Sequence, residues 1–258
     1  MKSRIHLVRT GPRGGRPVVL LHPVGLDLTY WGDYIAALGN DHDVVAVDLP
    51  GQGRSPGTAA EWTLPRATRT LLETITDLDA AAVDLVGLSV GGMLAQAITV
   101  TAPALVHSLT LLDTAAAFHE QGRRLMRERA AATRADGMAA VVPSTVARWF
   151  TADTVARRPD LVDRVTTTLL ADDPLVHAAM WDMIAELDLV DRLPEIGCPT
   201  LVMVGEHDSS SPVAAARQLR DGIPRAQLTV VPHAAHLAPL ERPEIVNTRL
   251  AAFLMSTH

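Results

Sequence analysis

Gly87-Leu88-Ser89-Val90-Gly91, followed by Gly92, sets a serine between the apolar run Val83-Asp84-Leu85-Val86 and a helix-forming stretch that starts at Val90. A G-x-S-x-G segment in that strand-then-helix setting reads as a sharp, strained turn that exposes the serine hydroxyl. The residues two positions either side must be small, because strand and helix backbones pass close together. A serine hydroxyl is a poor nucleophile at its own pKa and needs a base within hydrogen-bond reach. The stretch QLTVVPHAAHLAPLERPE supplies two histidines, His233 and His236. His236 opens the run into the final helix and is the expected base, with His233 as a loop residue near the mouth. An acid that orients the base is expected at the end of the preceding apolar run, LVMVGEHD, where Glu206 and Asp208 stand. Asp208 lies far enough past the run to reach the histidine. Asp113, ending SLTLLD, is the competing acid, and its other reading is a turn or cap residue.

Acyl chemistry on Ser89 passes through a tetrahedral oxyanion, and each preorganised donor to it contributes roughly 10²–10³ in rate. Val90 offers one backbone N–H at a helix N-terminus, where the dipole also favours negative charge. The second is expected from His22-Pro23-Val24-Gly25; proline has no N–H, so Val24 is the candidate. His22 reads as a peg that holds this loop rather than as a second base. Asp48-Leu49-Pro50-Gly51-Gln52-Gly53-Arg54-Ser55 joins an acid to a Gly-rich loop. With no G-x-G-x-x-G after a first strand and no P-loop lysine, it reads as a structural turn.

The elements that must position these residues alternate. Expected strands are Ile5–Arg9, Val18–His22, Val44–Asp48, Val83–Gly87, Ser108–Leu112, Thr200–Gly205 and Gln227–Val231; expected core helices are Leu64–Leu78, Val90–Ala102, Val213–Asp221 and Glu244–Met255. Several strands are apolar throughout, as in a parallel sheet covered on both faces. The rhythm breaks between Thr114 and Leu193, an Ala- and Arg-rich block with helical spacing. Residues 1–113 and 194–258 are therefore expected to form an α/β core and 114–193 a helical lid, with an ordinary helical subdomain as the alternative.

The chain has 258 residues, 48% of them hydrophobic, enough for a large core. One cysteine, Cys198, excludes an internal disulfide and makes a Cys-based zinc site implausible. No cofactor and no metal are expected. A net charge of −6 argues against nucleic acid as a partner, and no apolar stretch approaches the roughly 20 residues of a membrane span. The N-terminal apolar run is too short for a signal peptide, so the cytoplasm is the expected compartment. Arg123, Arg124, Arg127, Arg129 and Arg134 read as a solvated helix face, or else as a device that attracts anions.

The segments HPVG, DLPGQGRS, GLSVGG, PTLVMVGEHD and AAHLAPLERPE resemble the α/β-hydrolase superfamily over nearly the whole chain. The order Ser89, Asp208, His236 is that superfamily's order. The resemblance implies a mostly parallel central sheet flanked by helices, with an inserted helical lid. LLDTAA at 111–116, ARWFT at 147–151 and the stretch from Asp173 to Asp188 look like 3-oxoadipate enol-lactonase and related esterases. By that resemblance Trp31, Arg148 and Trp149 line the substrate pocket and Arg148 holds a substrate carboxylate; helix packing is the other reading of Arg148 and Trp149. Two departures stand: the His-Pro opening of the oxyanion loop, and a start too late for a full initial hairpin, which implies a trimmed sheet edge.

The expected function is hydrolysis of a small ester or lactone through an acyl-enzyme. Serine at 89 argues against dehalogenase and epoxide-hydrolase chemistry, which use a carboxylate nucleophile on this fold. Carbon–carbon bond hydrolysis, perhydrolysis and acyl transfer use the same triad and remain open, as does a slow-turnover ligand receptor.

Overall fold

The computed structural model describes residues 5–257. Seven strands form one sheet: β1 (Leu7–Thr10), β2 (Val18–Leu21), β3 (Val44–Val47), β4 (Val83–Leu88), β5 (Val106–Leu112), β6 (Thr200–Gly205) and β7 (Ala226–Val231). Their order is β1-β3-β2-β4-β5-β6-β7, and only β1 runs antiparallel, along β3. Each expected strand is present, with no end shifted by more than two residues and Thr200–Gly205 unchanged. Every residue of β2, β3, β4 and β6 is buried, which is why β2 and β3 are apolar without alternation, while the one charge in β4, Asp84, is paired with Arg16 and accepts from Ser108. Among the described residues the sheet ends on one side in the single short strand β1.

Helices α1 (Gly32–Leu38), α2 (Leu64–Thr76), α3 (Val90–Thr101), α9 (Val213–Gly222) and α11 (Pro243–Ser256) accompany the strands, with a short α10 (Ala238–Glu241) before the last. Between β5 and β6 run five consecutive helices: α4 (Glu120–Asp136), α5 (Met138–Trp149), α6 (Ala152–Arg157), α7 (Pro159–Ala171) and α8 (Pro174–Ala185). This is the block in which the strand rhythm stops.

The arginine-rich helix α4 is not simply a solvated face. Arg123 is largely buried and donates to the carbonyls of Phe118, Ala185 and Leu187 at 2.8, 2.7 and 3.1 Å, capping the end of α8. The Arg129 guanidinium lies 5.0 Å from the Trp181 ring centroid. Arg127 pairs with Glu186 at 2.7 Å and Arg134 with Asp182, both across to α8 and its end. The arginines thus fasten α4 to α8, and only part of the stretch is the exposed face expected from composition.

Registry fixes where the loops gather. Leu21 stands level with Gly87, Leu88 with Leu112, Leu112 with Met203, and Gly205 with Val231. Parallel strands in this register deliver their carboxyl ends, and hence the residues after them, to one edge of the sheet. The close approach there is severe: a Cβ on Gly91 would lie 2.3 Å from the Leu21 carbonyl oxygen, and one on Gly87 would lie 2.3 Å from that of Gly91. Gly91→Ala is therefore expected to cost about 2 kcal/mol or more. Gly15→Ala, with nothing within 4 Å of the new methyl, is expected to stay within about 0.5 kcal/mol. Urea midpoints compare the two, and equal midpoints would contradict the close approach.

Candidate active site

Ser89 sits between β4 and α3 with φ 53° and ψ −118°, a backbone conformation that L-residues rarely adopt. Three contacts hold it there. Its N–H donates to Leu112 at 2.9 Å, its carbonyl accepts from the Thr114 hydroxyl at 2.7 Å, and the Met93 N–H closes the first turn of α3 on the same carbonyl at 3.0 Å. A Cβ on Gly92 would press on Thr114 at 2.8 Å, so the glycine after the motif is also sterically required.

The Ser89 hydroxyl lies 3.0 Å from His236 Nε2, and His236 Nδ1 lies 2.9 Å from an Asp208 carboxylate oxygen. The other Asp208 oxygen accepts the N–H groups of Ser210 and Ser211 at 2.7 and 3.0 Å. Both carboxylate oxygens are thus engaged, which aims the group at the imidazole. Ser89, Asp208 and His236 are nearly sealed from solvent, at 5, 4 and 2% exposure respectively.

Asp113 is brought close but to a different end. It has φ 45°, and its oxygens accept the N–H groups of Gly205 at 2.8 Å and Ala238 at 3.2 Å. It stitches β5 to β6 and to the start of α10. Burial, and then the charge of Asp208, push its carboxyl well above the usual range, while the two amides pull the other way. The Asp113 carboxyl spans backbone groups; the Asp208 carboxyl meets the imidazole.

His22 is fully buried, and its Nε2 accepts the Leu49 N–H at 2.9 Å. The ring is therefore the tautomer with hydrogen on Nδ1, which donates to the Pro23 carbonyl at 2.8 Å. Desolvation lowers its pKa, so it stays neutral while it pegs the loop that carries Val24. Among the described residues neither the Val24 nor the Val90 N–H has an acceptor. The Asp48 loop is structural in the same sense: its carboxylate accepts the Leu28 and Arg54 N–H groups at 2.7 and 2.8 Å and meets His6 Nδ1 at 2.6 Å. A Cβ on Gly53 would fall 2.4 Å from that carboxylate carbon.

Three contacts that the motifs do not signal join the inserted helices to this edge. Glu241 is buried; one oxygen accepts the N–H and hydroxyl of Thr151 at 2.8 Å each, and the other accepts the Ala235 N–H at 2.6 Å. The Leu237 N–H donates to the Trp149 carbonyl at 3.2 Å, and the Trp149 and His236 rings lie 6.1 Å apart. A buried chain runs from Trp181 Nε1 to His177 Nε2 at 2.9 Å, then from His177 Nδ1 to Asp172 at 2.9 Å, with Gln52 donating to the same Asp172 oxygen at 3.0 Å. The His177 ring covers Gly25, where a Cβ would lie 2.8 Å from it. Glu241 stands inside the expected LAPLERP segment, but only its tertiary partners reveal what it holds.

Of the expected pocket residues, Trp149 is buried over His236. Trp31 is also fully buried, set edge-on to Tyr30 and Tyr34 at 4.8 and 5.5 Å, and its indole N–H has no acceptor among the described residues. Arg148 donates to the Ser144 carbonyl and the Thr145 hydroxyl of its own helix at 2.7 and 3.3 Å, while its buried Nε has no partner. Burial, and the charge of Arg129 nearby, lower its pKa to about 10. Desolvation lowers Arg129 as well. Neither guanidinium meets a carboxylate among the described residues. A cavity of about 630 Å³ lies beside the Asp208 loop, lined by Phe118, Met126, Arg129, Ser209 and Ser210 among others.

A model of the alpha/beta hydrolase family matches residues 18–249. The 3-oxoadipate enol-lactonase 1 of Acinetobacter baylyi is 29% identical over 236 residues, covering 91% of this chain and 86% of that protein. The enol-lactonase structure from Burkholderia xenovorans aligns with a TM-score of 0.91 at 27% identity, covering 97% of this chain and 96% of that one. A thermophilic esterase from Thermogutta terrifontis, solved with malate bound, aligns with a TM-score of 0.91 at 30% identity over 98% of this chain and 94% of that one. The resemblance read from the segments around Ser89, Asp208 and His236 therefore holds along nearly the full length, and the chain belongs to the alpha/beta hydrolase family.

Proposed function

We propose that the protein hydrolyses a small carboxylic ester or lactone that carries a free carboxylate, through an acyl-enzyme on Ser89. The observation that carries this reading is the unbroken chain Ser89–His236–Asp208 at 3.0 and 2.9 Å on a strained elbow. His236 Nε2 takes the Ser89 proton as the serine oxygen attacks the carbonyl carbon. The oxyanion accepts the unengaged N–H groups of Val24 and Val90. Collapse breaks the bond to the alkoxide or enolate leaving group, which takes the proton from the imidazolium; in a lactone it stays attached at the other end of the acyl chain. Water then attacks the acyl carbon, gives its proton to His236, and releases Ser89 with its hydrogen restored. Asp208 holds Nδ1–H throughout and stabilises the cation.

The charge of the substrate is inferred from Arg148 and Arg129. Two neighbouring desolvated guanidiniums without a counter-ion are unfavourable alone, and an anion relieves both. The Thermogutta esterase holds malate, a dicarboxylate, which supports an acidic ligand here. Ser89, Asp208 and His236 are nearly buried and the inserted helices pack over them through Trp149, which supports a reading of these helices as a lid over the substrate.

Ser89→Ala is expected to lower kcat by about 10⁴ or more without unfolding the protein, and a serine-directed phosphonate is expected to label Ser89 alone. Mass spectrometry of the adduct checks this; labelling elsewhere would move the nucleophile. Asp208→Asn is expected to lower kcat by on the order of 10⁴, since it leaves the imidazole in the wrong tautomer. Asp113→Asn is expected to lower it far less; kinetics on an aryl ester rank the two, and the opposite order would give the orienting role to Asp113. Arg148→Ala is expected to raise KM for an acidic lactone by about 10- to 100-fold, the equivalent of roughly 1.5–3 kcal/mol for a charge-assisted hydrogen bond, and to leave a neutral ester nearly unchanged. Equal effects on both substrates would assign Arg148 to support of the lid.

A further inference from the structure

The edge that carries the triad also carries a second cluster, which the proposed chemistry does not use. Glu206 and His207 precede Asp208, and His233 lies three residues before His236. One ligand atom from each of the three lies within 4.8 Å of the others. We propose that Glu206, His207 and His233 form a binding site for a divalent transition-metal ion of the zinc class, separate from the triad.

The donor set is two imidazoles and a carboxylate, the nitrogen and oxygen ligands that zinc, nickel and copper take and that magnesium and calcium do not favour as a set. Ligands at about 2.0–2.2 Å around one tetrahedral ion stand roughly 3.4 Å from each other. His207 Nε2 and Glu206 Oε2 are already 3.7 Å apart. The remaining closure is about an ångström, and all three side chains are exposed, so ordinary rotamer changes supply it and no buried charge has to be desolvated.

The backbone has already brought the three together. The Glu206 N–H donates to Val231 at 2.9 Å and the His207 N–H to Ala234 at 2.8 Å, which lock the two loops side by side. The His233 N–H donates to Glu206 Oε2 at 3.1 Å, and His233 holds φ 55°, so its ring projects from a fixed turn. A hollow of about 180 Å³ opens here, lined by His207 and His233 from the core, Thr151 and Asp153 from the inserted helices, and Arg242. Arg242 is a cation, but its guanidinium is engaged with the Glu241 carbonyl at 2.6 Å. A metal ion in this hollow ties the Asp208 loop to the His236 loop from outside, next to the helices that cover them.

The test uses the full chain stripped with a chelator, with zinc as the ligand. Calorimetric titration is expected to show one ion per chain, and zinc at about 100 times Kd is expected to raise Tm by about 5–10 °C. Magnesium is expected to do neither. His207→Gln and His233→Asn are each expected to weaken zinc binding at least tenfold; asparagine tolerates the left-handed turn, so the second variant keeps the backbone. Glu206→Gln retains an acceptor for the His233 N–H and is expected to weaken binding as well. His119→Gln, an exposed histidine elsewhere, is expected to bind as the parent does. Cobalt(II) gives a second readout, a visible absorption band that disappears in the same variants. Melting of each metal-free variant confirms that it is folded. No stoichiometric binding, or binding undiminished in both His207→Gln and His233→Asn, would overturn the proposal.

Discussion

The site depends on how closely two backbones pass. The turn after β4 brings Gly91 so near the end of β2 that no side chain fits between them, and the loss of side chains there lets Ser89 take a conformation that an ordinary turn would relax. The strain is held by the Leu112 carbonyl, the Thr114 hydroxyl and the first turn of α3. The same approach aligns the ends of β2 and β4, so the loop that presents Val24 lies beside the N-terminus that presents Val90. Ser89 and the N–H groups of Val24 and Val90 are therefore placed by one packing constraint, not by two independent ones.

Buried carboxylates do the remaining positioning, and each does so by accepting backbone N–H groups. Asp113 joins β5, β6 and α10; Asp48 joins its own loop to the segments at Leu28 and His6; Glu241 joins the inserted helices to the His236 loop. Such groups are costly to desolvate and keep their place because every oxygen has donors. Asp113 and Asp208 show how environment separates two nearby acids. Each accepts two amides, but only Asp208 also meets an imidazole, and the charge on Asp208 makes ionisation of Asp113 harder.

The strands, the elbow and the order of Ser89, Asp208 and His236 are legible in the sequence, because apolar runs and motif glycines are local signals. The inserted helices are legible as a block for the same reason. What the sequence hides is partner choice. Composition makes the arginines of α4 a wet surface, whereas Arg123 and Arg129 turn inward to carbonyls and a ring supplied by α8. Trp31 reads as a pocket residue and packs against Tyr30 and Tyr34. Glu241 and the Asp172–His177 pair meet partners far from them in the chain, and no local pattern announces such meetings.

The backbone bond from the Leu237 N–H to the Trp149 carbonyl has a kinetic meaning. It joins the residue after His236 to the end of α5. Under the proposed reaction, any shift of α5 strains this bond and carries with it the ring that lies over His236, so the inserted helices and the imidazole cannot move independently of one another.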